Sequence, residues 1–359
     1  MRFLFLFLFF ICNFSFAQNF ELENLKKLSA QNNAKAQYDL AILYEKGIGI
    51  AIDTRQALRL YRESAKNNYD LALLYLGNYY SKKSTFSQNL SLALDYYESA
   101  ANLGNAQAQL ECAKIYYQDI GVNQNFTKAF DYCSKAAEQN IAEAQSLLGD
   151  FYLYGISTNV NHTKAAEMYK KSAEQDYPQA LYMLGHLYYT GTGVEKNLDK
   201  AIEYLEKASK KGLNKALFNL GYCYYGEGEK QDKTKAIECW AQAAQRHHTK
   251  SQFNLAQCYY TGDGVEKDLE KALYWFECAA SQGEHRAMYM AGLFYKNALG
   301  TKQDLKKAYA YFYNSAEEKN KEALTELEKL SPLLSDSEKS RALEYAKKLQ
   351  SEIITFSQE

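Results

Sequence analysis

The chain of 359 residues carries 42 basic and 43 acidic side chains, a net charge of −1, so charge favours neither a nucleic-acid backbone nor an anionic membrane surface as partner. Two prolines and 32 tyrosines, with abundant Ala, Lys and Glu, point to helices rather than strands. So many tyrosines imply a repeat.

The first segment reads as an address. Met1-Arg2 leads into the apolar run FLFLFLFFI, Phe3 to Ile11, and then to Ser15 and Ala17, two residues apart. A charged start, a short apolar core and a small-residue cleavage site make residues 1–17 a secretory signal peptide. The run is shorter than the roughly 20 residues that cross a bilayer. Cys12, where an anchored form would carry its lipid, is preceded by the bulky Ile11. The expectation is a mature chain starting near Gln18, periplasmic or secreted, with no stable membrane insertion after cleavage. Residues 18–35, with Leu22, Leu25 and Leu28 at helical spacing, are expected to form an N-terminal capping helix.

From residue 36 one pattern recurs. Its leading residue falls at Ala36, Ala72, Ala108, Ala144, Ala180, Ala216, Ser251 and Ala287, with a degenerate ninth at Ala323. The step is 36 residues except where one is missing from YYGEGE. Five positions on stands a small residue: Ala41, Gly77, Ala113, Gly149, Gly185, Gly221, Ala256 or Gly292. Eight positions on stands Tyr44, Tyr80, Tyr116, Tyr152, Tyr188, Tyr224, Tyr259 or Tyr295. A second alanine follows, from Ala57 and Ala93 through to Ala308. These spacings lie on one face of a helix, so each unit reads as helix A, a glycine turn, helix B and a short polar turn. Small residues let the two backbones approach closely, and no unit buries its apolar face alone. The expected fold is all-α, a right-handed superhelical solenoid of about eight 36-residue α/α repeats over residues 36–322. A degenerate unit and a capping helix over 323–359 would close it, with Ser335 and Glu338 spaced as a capping box. Gly191 and Gly193 have equivalents at Gly47 and Gly49 and at Gly262 and Gly264, with no G-K-[ST] ending, which makes the loop a turn and not a phosphate cradle.

The pattern A-x-x-x-L-G-x-x-Y-x-x-G-x-G-V, followed by K-A-x-x-x-aromatic-x-x-A-(A/S), resembles the Sel-1-like repeat, a relative of the tetratricopeptide repeat. The likeness runs from residue 36 to about 322; units two and three depart from it, with SKKSTF and QDIGV in place of the glycine turn. The resemblance implies a scaffold for protein or peptide binding. It also raises an alternative, because some cysteine-rich secreted members are described as penicillin binders with weak β-lactamase activity. Their recurring cysteines are mostly replaced here, for example by Ala173 and Ala180, and S-x-x-K and K-T-G are lacking.

The histidines His162, His186, His247, His248 and His285 are scattered, so no metal site is legible and no cofactor is implied. His247 and His248 are expected in a solvated inter-repeat turn. Of the cysteines past the signal segment, Cys112, Cys223 and Cys258 occupy apolar positions of the repeat and read as buried thiols. Cys112 and Cys133 lie on facing sides of one unit at similar height, and a disulfide closing about 20 residues would contribute roughly 3 kcal/mol; two buried thiols are the competing outcome. Cys278 stands where other units place Glu63 or Lys135, and is expected to be bridged or reactive; pairings among Cys223, Cys239, Cys258 and Cys278 stay open.

On a tetratricopeptide-like model, the second, sixth and ninth residues after each marker line a concave helix A face. In units five to seven these are Tyr182, His186 and Tyr189, then Phe218, Tyr222 and Tyr225, then Phe253, Gln257 and Tyr260. Tyrosine offers large contact area and a polar tip at little entropy cost, as recognition surfaces prefer. For the ninth-position tyrosines, packing against the next unit competes with groove contact. The function expected is protein or peptide binding without chemistry, with the β-lactam enzyme and a cell-envelope or polysaccharide assembly adaptor as alternatives.

Overall fold

Each helix B begins with the same device, and that device positions everything else. The computed structural model describes residues 21–82, 89–118, 122–226, 228 and 231–356; the expected signal peptide lies outside them. Residues 21–30 form α1. Helix pairs follow: α2 (Ala34–Lys46) with α3 (Thr54–Lys66), α4 (Asp70–Ser81) with α5 (Leu90–Asn102), α6 (Ala106–Tyr117) with α7 (Phe126–Glu138), and α8 (Ala142–Tyr154) with α9 (His162–Ala173). Then come α10 (Pro178–Thr190) with α11 (Leu198–Lys210), α12 (Asn214–Tyr225) with α13 (Lys233–Gln245), α14 (Thr249–Thr261) with α15 (Leu269–Ala280), and α16 (His285–Asn297) with α17 (Leu305–Glu317). α18 (Lys321–Leu330), a short 3-10 turn and α19 (Asp336–Phe356) complete an all-helical set with no strand among the described residues.

The device is an Asn or Asp at the N-cap. Asp53, Asn89, Asn125, Asn161, Asn197, Asp232, Asp268 and Asp304 each accept, through the side chain, the N–H of the residue three positions on, satisfying a donor the helix cannot. The cap residue's own N–H donates to the carbonyl of the recurring tyrosine, as from Asn89 to Tyr80 (3.0 Å) and Asn125 to Tyr116 (2.8 Å). That bond closes the connection without glycine, so units two and three form both helices despite their altered turns. Gly191 and Gly262 take the left-handed backbone that ends helix A, with φ of 77° and 78°.

The eight markers and the alanines that open helix B are all buried. The small residue five positions on lies under a large helix B side chain: a Cβ on Gly149 would come within 2.7 Å of the Tyr169 ring, and one on Gly221 within 2.1 Å of the Trp240 indole. The recurring tyrosines stack on a helix B tyrosine in Tyr80–Tyr96, Tyr116–Tyr132, Tyr188–Tyr204 and Tyr295–Tyr311. A lysine ammonium covers the ring, 4.6 Å away for Lys128 over Tyr116. These tyrosines are therefore packing elements.

A second ladder is polar. Gln37, Gln109, Gln145 and Gln252, one residue past the marker, are buried. Each accepts from an amide at the end of its own repeat: Asn67 (3.0 Å), Gln139 (2.9 Å), Gln175 (2.8 Å) and Gln282 (2.6 Å). Each also donates back to a main-chain carbonyl eight residues earlier, at Ser29, Ala101, Ala137 and Ala244. Buried amides are tolerated because both their halves are bonded. Tyr177 and Pro178 mark the division of the chain into two compact units. In the second, Ser335 and Glu338 form a reciprocal capping box ahead of α19, the Glu338 carboxylate accepting from the Ser335 N–H (2.9 Å) and hydroxyl (2.7 Å).

Candidate functional site

The position that distinguishes the repeats is the sixth after the marker, at the edge of the helix A and helix B contact. In repeats two and four this residue is polar and satisfied by the helix B tyrosine opposite. Tyr97 donates its hydroxyl to Asn78 (2.8 Å), and Tyr169 to Asp150 (2.6 Å). Burial pushes the Asp150 carboxyl above its ordinary range, and the Tyr169 hydroxyl bond opposes the shift.

In repeats five to seven the helix B residues opposite are Leu205, Trp240 and Phe276, none with a hydroxyl. The side chains in the sixth position are then His186, Tyr222 and Gln257. His186 Nδ1 is buried with no partner among the described residues, and burial holds its imidazole below the usual histidine range, hence neutral at pH 7. The Tyr222 ring meets Phe218 (4.9 Å) and Trp240 (5.4 Å) edge-on, yet the residue is 38% exposed. Its hydroxyl accepts from Asn254 (3.1 Å). The Gln257 amide makes no hydrogen bond among the described residues.

Two hollows meet at Gln257. The smaller, about 200 Å3, is walled by Tyr222, Tyr225 and Trp240 on one side and Asn254, Gln257, Cys258 and Thr261 on the other. The larger, about 580 Å3, lies among Phe253 and Gln257 of α14, His285, Arg286, Tyr289 and Met290 of α16, and Lys319 to Glu322. The Arg286 guanidinium lies over the Phe253 ring at 4.6 Å and is fixed there by Glu284 at 2.9 Å.

Of the nine expected groove residues, the structure thus gathers Tyr222, Tyr225, Phe253 and Gln257 around these hollows, with Phe218 supporting Tyr222. Tyr182, His186 and Tyr189 are half-buried on α10 and line neither. The ninth-position tyrosines of repeats six and seven are covered by packing: the Tyr225 ring leans on Trp240 of its own helix B (5.2 Å) with its hydroxyl on Asp263 of the following repeat, and Tyr260 leans on Phe294 of the repeat after it (5.4 Å). Asp263 also pairs with Lys233 at 2.7 Å. Sequence reasoning missed Trp240, Asn254 and Arg286. Trp240 comes from helix B, and its indole N–H donates to the Phe218 carbonyl (3.1 Å), which holds the ring as a wall.

A family model described as the Sel1 repeat matches residues 34–69, 70–105, 106–141, 142–177, 178–213, 214–248, 249–284 and 285–320. The chain belongs to the Sel1 repeat family. Among solved structures, the Sel1-type protein c5321, a protective antigen present in uropathogenic Escherichia coli strains and displaying an SLR fold, is 29% identical, with a TM-score of 0.83 over 94% of this chain and 74% of its own. A Sel1 repeat protein from Oxalobacter formigenes is 27% identical, with a TM-score of 0.69 over 86% of this chain and 90% of its own. No curated protein sequence matches the chain. Sel1 repeat proteins are generally non-enzymatic scaffolds that bind other proteins.

The Sel1 repeat core also settles where the cysteines stand. The expected bridge between Cys112 and Cys133 is not formed: both are free, and the Cys133 thiol donates to the Ala144 carbonyl of the next repeat (3.2 Å). Cys133 occupies the helix B socket that Tyr97 and Tyr169 fill elsewhere, enclosed on all sides. Cys223 and Cys258 are buried, with thiols pushed up to about 12 and about 11. Cys239, half-buried, takes the place of a stacked tyrosine, its thiol pushed up to about 11. Cys278, expected to be bridged or reactive, is a free half-buried thiol raised by burial, which disfavours the nucleophilic thiolate. His248, expected to be a solvated turn residue, is instead half-buried: its Nδ1 accepts the Ser251 N–H (3.3 Å) to cap α14 and lies 2.9 Å from the Ser251 hydroxyl. Among the described residues no group of three or more His, Cys, Asp or Glu is placed to hold a metal ion, and no helix is long and apolar enough to cross a membrane.

Proposed function

We propose that this chain is an exported scaffold that captures another protein through a peptide segment laid along α12, α14 and α16. The observation that carries the reading is the sixth position of repeats six and seven. There Tyr222 and Gln257 face open hollows, because Trp240 and Phe276 replace the hydroxyl donors that engage this position in repeats two and four. Aromatic rings beside amides that still have bonding capacity are what a peptide needs, apolar contact for its side chains and hydrogen bonds for its backbone. The charged start and apolar run of residues 1–11, with Ser15 and Ala17, support export to the periplasm or beyond.

A photoreactive benzophenone residue in place of Gln257 tests both parts of the proposal. It is expected to form adducts with a protein in the periplasmic or released fraction, whereas the same residue in place of Glu238, exposed on α13, gives none. Adducts from position 238 alone, or none from 257, would remove the reading.

A further inference from the structure

We propose that the segment bound is acidic: an apolar or aromatic side chain enters the Trp240 hollow, and carboxylates beside it lie over Arg286, Lys319 and Lys321. The inference rests on the protein-binding reading above and names the chemistry of the segment.

The two hollows differ in size and charge. At about 200 Å3 the first falls below the roughly 300–1,000 Å3 of pockets that hold whole small ligands, and it suits one inserted side chain. Its walls are mainly rings and amides, with no carboxylate among its lining residues, and the carboxylate of Asp263, which bonds the Tyr225 of that wall, is already held by Lys233. The second hollow has an apolar floor of Phe253, Tyr289 and Met290 beneath three cations, with Glu322 as the single carboxylate among its lining residues. Lys319 and Lys321 are exposed and form no ion pair among the described residues. Arg286 is paired with Glu284 on one edge and stacked on Phe253, so its remaining N–H groups are presented in a fixed plane that suits a carboxylate.

This local excess of positive charge sits on a chain whose total is −1. A basic or neutral segment covering the hollow would strip water from the two lysines and return nothing, which is costly for any ion. An acidic segment pairs them. A polyphosphate backbone fits less well, since it would gain from a continuous track of cations and would leave the apolar floor and the Trp240 hollow unused.

Selection of a phage-displayed random peptide library on the full chain tests this, with enriched peptides then synthesised, labelled with fluorescein and titrated by anisotropy. The expected peptides carry Asp or Glu next to Leu, Met, Phe, Tyr or Trp. Their affinity falls as sodium chloride is raised, because exposed charges are screened beyond about 8 Å at physiological ionic strength. The double variant Lys319→Glu and Lys321→Glu is expected to lose about tenfold in affinity, mostly in association rate, with an unchanged melting curve because both side chains are exposed. Peptides free of acidic residues that bind both proteins equally, and are blocked by a cross-link at position 257, would overturn the acidic segment and leave protein binding standing. Loss of the 257 adducts, with no peptide enriched, would remove both.

Discussion

Repeats two and four, in the first unit, and repeats five to seven, in the second, share one helix pair and one set of buried alanines, yet they treat the sixth position in opposite ways. In the first unit, Asn78 and Asp150 are consumed by the tyrosines opposite them. In the second, Leu205, Trp240 and Phe276 offer no hydroxyl, and His186, Tyr222 and Gln257 keep capacity to bond elsewhere. A repeat therefore becomes a recognition element by what its helix B withholds, as much as by what its helix A displays.

The largest effect is expected where that helix B side chain is pinned. Gly149→Leu and Gly185→Leu should each cost about 3 kcal/mol or more by overpacking. The Gly149 variant should melt lower, because the Tyr169 ring is held by Asp150 whereas Leu205 can turn aside. Equal melting would break the contrast.

A middle-sized effect is expected from Tyr169→Phe, which strands a largely buried carboxylate at a cost of about 2 kcal/mol at neutral pH. Asp150 already titrates above its ordinary 3.8 in the folded state, so its stabilising share is present below the unfolded value and is lost as pH rises through the folded one. Removing the Tyr169 bond raises the folded value further. The penalty should therefore shrink as pH falls towards 3.8, in denaturant titrations of both proteins.

Smaller, and opposite in sign, is Leu205→Tyr. It gives repeat five the hydroxyl of repeat four, with Gly185 already in place to admit a ring, and should stabilise by about 1 kcal/mol by supplying a donor to His186 Nδ1. A lower melting temperature would show that the imidazole is not oriented to accept. Least of all, alkylation of Cys223 and Cys258 in the folded protein should be negligible at pH 8 and complete after denaturation, since burial holds both thiols protonated. Mass spectrometry under non-reducing conditions should likewise find Cys112 and Cys133 free once unfolded.

The period, the small contact residues, the recurring tyrosines and the glycine turns were legible because each recurs in register, and buried Cys112, Cys223 and Cys258 followed from the apolar class of their positions. The Asn and Asp caps recur as plainly, and only attention to the turn residues was needed to find them. The site was harder to read. Whether Asp150 or Gln257 is free depends on a residue in the other helix, 19 positions on in each case, so no reading of helix A alone can decide it. Tyr225 and Tyr260 look like groove residues by register, but the neighbours that cover them, Trp240 and Phe294, arrive from helix B and from the next repeat. Cys133 misled for a similar reason: proximity to Cys112 was visible in the pattern, while the Ala144 carbonyl that takes its thiol belongs to the following repeat.

The buried glutamines carry a consequence for how such a chain can grow. Each pairs with an amide inside its own 36-residue block, Gln37 with Asn67 and Gln252 with Gln282, and reaches its predecessor through a main-chain carbonyl. A carbonyl is the same acceptor whatever side chain precedes it. Duplicating or deleting a block of this kind leaves its amide pair intact and supplies the next block with an equivalent acceptor, so the Gln37 and Gln252 bonds themselves ask for no particular side chain in the block that precedes them.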